Sequence, residues 1–165
     1  MACVRAVVVV VVLLAATPAW SARTHEARGA STKAAACHMA LDRGVLPVWA
    51  RDGFSSPRPR MPHVLGRSGR IVAILFGYPL RSPPAKGRTN KILWAPHTWG
   101  SGPAALWIRA QRMDGVTPVG APVRRIVPGG PGPSIIDLPD AGCWRLTLAW
   151  SARRDTLDLA YGSDS

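Results

Sequence analysis

Gly142-Cys143-Trp144-Arg145-Leu146-Thr147-Leu148-Ala149-Trp150 and, across a link at residues 151–155, Thr156-Leu157-Asp158-Leu159-Ala160-Tyr161 decide the fold class. In the first stretch Trp144, Leu146, Leu148 and Trp150 fall on one side of an extended chain, with Arg145 and Thr147 on the other. In the second, Leu157, Leu159 and Tyr161 oppose Thr156 and Asp158. A period of two is the mark of a half-buried strand, and two such runs joined by a short polar link predict a hairpin.

Working backwards, the same alternation places Leu106, Ile108 and Ala110 opposite Trp107, Arg109 and Gln111. Short apolar runs at 71–76, 91–94, 104–113, 123–127, 134–138, 143–150 and 156–161 give about seven candidate strands. They are separated by turn formers at 79–87, 96–103, Asp114-Gly115, 128–133 and Pro139-Asp140-Ala141-Gly142. Strands with one apolar face need a second sheet to cover it, so the expected fold is all-β, a two-sheet β-sandwich, with a small barrel as the alternative. Pro128-Gly129-Gly130-Pro131-Gly132-Pro133 is dense enough in glycine to raise a phosphate-cradling loop. Its prolines remove amide donors and a strand follows it, so it reads as a rigid connection.

Upstream the texture changes. Residues 63–165 are assigned to the sandwich and residues 22–62, rich in Ala, Arg, Pro and Ser, to a largely irregular arm. Within the arm Val45-Leu46-Pro47-Val48-Trp49-Ala50 looks like buried strand. Ser31 or Thr32 could cap a short helix over 34–42, stopped by Gly44 and carrying Cys37. Residues 1–21 have the order of a secretion signal. Arg5 is followed by the apolar run 6–16 and by Thr17-Pro18-Ala19-Trp20-Ser21-Ala22, which offers cleavage after Ala19 or Ser21. An uncleaved membrane anchor is the alternative, although the run is about half the ~20 residues that span a bilayer. Cys3 precedes the apolar core and so cannot serve as a lipoprotein cysteine.

The net charge of +12 falls to about +11 without Arg5. Such a protein is drawn to polyanions, which outside a cell means anionic headgroups, wall polymers or acidic glycans rather than nucleic acid. The pairs Arg58/Arg60, Arg67/Arg70, Arg124/Arg125 and Arg153/Arg154 are scattered, without the aromatic interleaving of RNA-binding segments. Cys37 and Cys143 remain after cleavage and are the minimum for one disulfide in an oxidising compartment; buried free thiols, or a site using Cys37 and His38, are the rivals.

Few residues could carry chemistry. His25, His38, His63 and His97 show no metal-ligand spacing, there is no Gly-x-Ser-x-Gly, and Glu26 is the single glutamate. Asp137, Asp140, Asp155 and Asp158 gather around the last strands, where aspartate at turns is ordinary. The expected protein is therefore not an enzyme and needs no cofactor or metal. Tryptophan stands out instead. Trp94, Trp144 and Trp150 fit the core, whereas Trp99, in a loop with His97, and Trp107, beside Arg109, are candidates for a binding surface.

The segments Asn90-Lys91-Ile92-Leu93-Trp94, Ile108-Arg109-Ala110-Gln111, Gly129-Gly130-Pro131-Gly132-Pro133-Ser134-Ile135-Ile136-Asp137-Leu138-Pro139 and Gly142-Cys143-Trp144-Arg145-Leu146-Thr147-Leu148 resemble those of uncharacterised secreted proteins from high-GC, actinobacterial-type bacteria. The likeness runs over about 45–161 and, more loosely, extends to immunoglobulin-like modules. It implies a secreted, compact, immunoglobulin-like β domain and names no ligand. Cys37 lies in the arm, so the intersheet disulfide of antibody domains is not expected. Three functions follow as expectations: an extracytoplasmic interaction module for an anionic cell-envelope polymer or an exported protein, a membrane-tethered structural protein, and a hydrolase in which His97 or His63 meets an Asp or Ser.

Overall fold

The computed structural model describes residues 37–99 and 104–163; the signal expected at 1–21, the cap residues Ser31 and Thr32, His25 and Glu26 lie outside them. Among the described residues the chain runs β1 (Leu41–Asp42), a 3₁₀ turn (Val48–Ala50), β2 (His63–Leu65), β3 (Ile71–Leu75), β4 (Lys91–Pro96), β5 (Leu106–Asp114), β6 (Thr117–Val127), β7 (Pro133–Ile135), β8 (Gly142–Trp150) and β9 (Arg153–Tyr161). Two antiparallel sheets result, in the orders β1-β2-β3-β4-β7 and β6-β5-β8-β9. The β-sandwich is as the alternation predicts. With β3, β4 and β7 taken as strands A, B and E, and β6, β5, β8 and β9 as C′, C, F and G, the order is that of immunoglobulin-like sandwiches.

The core lies between the sheets. Leu106, Ile108 and Ala110 on β5, Trp144, Leu146, Leu148 and Trp150 on β8, and Leu157, Leu159 and Tyr161 on β9 meet Ile71, Ala73, Leu75, Ile92 and Trp94. Each aliphatic side chain fully buried here stabilises the fold by roughly 1.5–3 kcal/mol relative to exposure. The buried indoles are anchored selectively. Trp94 donates to Ser134 Oγ at 2.9 Å, and Trp144 donates to the carbonyl of Asp140 at 3.0 Å across the β7–β8 corner. The latter occupies the place of the tyrosine corner of immunoglobulin-like domains, where an aromatic near the start of strand F holds the preceding turn.

Several expectations are corrected. Residues 37–40 are not helical and Leu41–Asp42 pairs with Val64 and His63, so the helix over 34–42 does not extend through its C-terminal half. A segment that short has no helical stability of its own and is held by cross-strand pairing instead. The buried strand at 45–50 is a single bridge, Val45 to Arg60, followed by the 3₁₀ turn, with Pro47 at its N-cap turning the chain. The link at 151–155 shrinks to Ser151-Ala152, because Arg153, Arg154 and Asp155 pair with Trp150, Ala149 and Leu148. Gln111 is buried although it follows Arg109 on the outer side. Between Ala110 and Arg112 the β6 register slips, and Gln111 Nε2 donates to the carbonyls of Val119 and Gly120 beside that bulge.

The arm is the largest departure. β3 is buried on both faces: Ile71, Ala73 and Leu75 enter the sandwich, while Val72 and Ile74 point outward under Leu46 and Ala50, flanked by Trp49, Phe54 and Met61. Residues 46–61 thus form a third layer over the five-stranded sheet. The sheets are also stitched along one seam, where the β2–β3 turn meets β9. Asp155 accepts the amides of Ser68 and Arg70 at 2.9 Å and of Thr156 at 2.8 Å, and the Arg67 amide donates to the Thr156 carbonyl. Gly66 permits this approach, since a Cβ there would collide with the Asp155 carboxylate. Asp158, also buried, accepts Arg67 Nη2 at 2.8 Å and Arg145 Nε at 3.0 Å. The Arg145 pKa is raised by that hydrogen bond, with burial acting against it.

Candidate functional site

The β5–β8 ladder sets which side chains reach the outer face of the four-stranded sheet. Trp107 pairs with Ala149 and Ile126, and Arg109 pairs with Thr147 and Arg124; Ala149 in turn pairs with Arg154 on β9. Odd positions of β5 point away from the core, so Trp107, Arg109, Arg124, Thr147, Ala149 and Arg154 share one surface. They line an open groove of about 270 Å³. Trp107 is 58% exposed there and Ile126 is 47% exposed beside it.

The electrostatics of this face are one-sided. Arg109 stands directly opposite Arg124, an arrangement that costs stability in an antiparallel pair. Among the described residues, no carboxylate lies within ion-pair distance of Arg109, Arg124 or Arg154. Asp158, on the same side of β9, is already engaged by Arg67 and Arg145. Arg125 turns away from this face, donating through Nε and Nη2 to the Asp137 carbonyl. What is left is a flat aromatic ring flanked by guanidinium groups that have donors and no acceptors, which suits a ligand offering ring faces and negative charge.

The four surface candidates from the sequence therefore divide. Trp107 and Arg109 meet in this groove. His97 and Trp99, which is 65% exposed, lie instead at the end of the sandwich after β4. There His97 stacks on Trp49 with ring centroids 5.0 Å apart. Trp49 and Trp99 border a shallow hollow of about 80 Å³ over Leu93 and Ala95. Sequence reasoning missed Arg124 and Arg154 as partners of Trp107. Both were visible as basic pairs, but only the two-residue turn at Ser151-Ala152 and the β5–β6 register bring them to one face.

His63 is buried, with Nδ1 2.8 Å from the Met61 carbonyl and Nε2 3.7 Å from Asp42 Oδ2. The cleft that His97 borders is lined by Arg70, Thr98 and Arg153. His63 thus has a carboxylate neighbour, and the described residues lining the cleft at His97 include neither a serine nor a carboxylate. Cys37 is bonded to Cys143, across 106 positions of sequence, which fits an oxidising compartment and removes Cys37 from any set with His38. Among the described residues no helix is long and apolar enough to cross a membrane. Comparison with protein-family models, with curated proteins and with solved structures found no match to the chain.

Proposed function

We propose that the protein is a secreted, non-catalytic module of the cell envelope that holds an acidic polysaccharide on the outer face of its four-stranded sheet. The observation that carries this reading is the Arg109–Arg124 opposition beside exposed Trp107 and Arg154, with no carboxylate to neutralise it among the described residues. An isolated fold gains nothing from facing two guanidiniums across a strand pair, whereas a polyanion laid over them removes the repulsion and gains charge-assisted hydrogen bonds. Trp107 supplies a face for stacking on sugar rings. The residual charge of about +11 outside the signal supports the same partner by steering it to the surface.

The purified oxidised protein titrated with uronate-bearing polysaccharide should bind it, and several-fold more weakly at 300 than at 50 mM salt. Trp107→Ala and Arg124→Glu should each weaken binding by about tenfold, equivalent to ~1.4 kcal/mol, with the denaturation midpoint unchanged or raised for the second. Binding that survives both substitutions would remove the face from consideration, and selective binding to an exported protein in place of the polysaccharide would overturn the reading.

A further inference from the structure

The end of the sandwich carries a second, separate concavity. Arg70, from the β2–β3 turn, Arg153, at the start of β9, and His97 and Thr98, after β4, enclose a cleft of about 340 Å³. Arg153 and Arg154 are consecutive residues of one strand and so point to opposite sides of their sheet; this cleft and the Trp107 groove do not share side chains.

The lining is fixed from several directions. The Arg70 amide donates to Asp155 Oδ2 at 2.9 Å and Arg70 Nη1 reaches the Arg154 carbonyl at 3.4 Å. The His97 amide donates to the Arg70 carbonyl at 2.8 Å, tying the end of β4 to the turn, and its ring is held against Trp49. Asp155, which accepts the Arg70 amide, has its two oxygens occupied by the amides of Ser68, Arg70 and Thr156. No described carboxylate pairs with Arg70 or Arg153. The cleft thus presents guanidinium donors, a hydroxyl and an imidazole, and among the described residues its lining contains no acid.

We propose that this cleft seats one compact tetrahedral oxyanion of the phosphate type, held between Arg70 and Arg153 with Thr98 and His97 at its sides. A guanidinium fork matches adjacent oxygens of such a group, and two of them, one from the β2–β3 turn and one from β9, offer a tetrahedral anion more donors than a single carboxylate group can use. The same chemistry is offered by free phosphate and by a phosphodiester polymer, which differ in whether a chain must leave through the open mouth.

The test is titration of the purified oxidised protein with inorganic phosphate and with a glycerol-phosphate polymer at constant ionic strength. It is read by NMR shifts of the His97 ring, the Trp49 indole and the two arginine side chains. Saturable shifts confined to these groups, weakened at least tenfold in Arg153→Gln and in Arg70→Gln and unchanged in Trp107→Ala, are the expected result. Saturation by phosphate alone assigns the cleft to the free ion, and saturation by the polymer assigns it to the diester. Chloride producing the same shifts, no saturation with either phosphate source, or equal binding by Arg153→Gln would overturn the proposal. Arg153→Lys, which keeps the charge and loses the fork, guards against a folding artefact and should bind with intermediate strength.

Discussion

Tyr161 shows how much a single side chain near the end of the last strand contributes. Its hydroxyl donates to the Ile136 carbonyl at 2.7 Å, tying β9 to the segment after β7. Burial, and secondarily the Asp137 charge, push its pKa well above the ordinary tyrosine value, with Arg125 opposing. The folded protein therefore keeps this proton more tightly than the unfolded chain. The associated stability is complete below about pH 10, the unfolded value, and declines as pH rises beyond it. Urea denaturation at pH 9 and pH 11 should show a falling midpoint in the native protein and a smaller fall in Tyr161→Phe. At pH 8 that variant should be weaker by ~1 kcal/mol, because the Ile136 carbonyl loses its donor. Equal alkaline losses in both proteins would show that another group is responsible. Trp150 offers a contrast, since its indole N–H is buried without a partner among the described residues.

At the scale of elements, the third layer matters most. Leu46 lies beyond the limits of the sandwich as read from sequence, in the stretch of the arm that reads as buried, and it is fully buried against Val72 and Ile74 of β3. Leu46→Ala should cost about 2–5 kcal/mol, the range for a core leucine, where a residue in a solvated arm would cost within ~0.5 kcal/mol. Chemical denaturation of the variant distinguishes the two directly. The alternation on β5, β8 and β9 was legible because each strand has one apolar and one polar face. β3 reads as a continuous apolar run, Ile71-Val72-Ala73-Ile74-Leu75, and its second face was the sign that a further layer exists. β6 was half hidden for another reason. It is an edge strand in which Pro118, Gly120 and Pro122 bend the ladder, a device that also blunts edge-to-edge pairing.

For the whole molecule, the Cys37–Cys143 bond joins the segment before β1 to the start of β8, closing most of the described chain into one loop. Chain-entropy arguments for a loop of this length give ~4–5 kcal/mol, so Cys37→Ser should lower stability by up to that amount and dithiothreitol should have no further effect on the variant. A native protein insensitive to reduction in its thermal midpoint would contradict this. The strand pattern, the apolar faces, the excess of cations and the availability of two cysteines were all fixed by residue order, because periodicity and composition are properties of the chain itself. Which arginines stand together was decided only on folding. Arg109, Arg124 and Arg154 come from three strands whose register depends on the bulge after Ala110 and on the tight turn at Ser151, and Arg70 meets Arg153 only because Asp155 draws the β2–β3 turn onto β9. Sites of this kind are products of long-range pairing, for which neighbouring residues along the chain carry no signal.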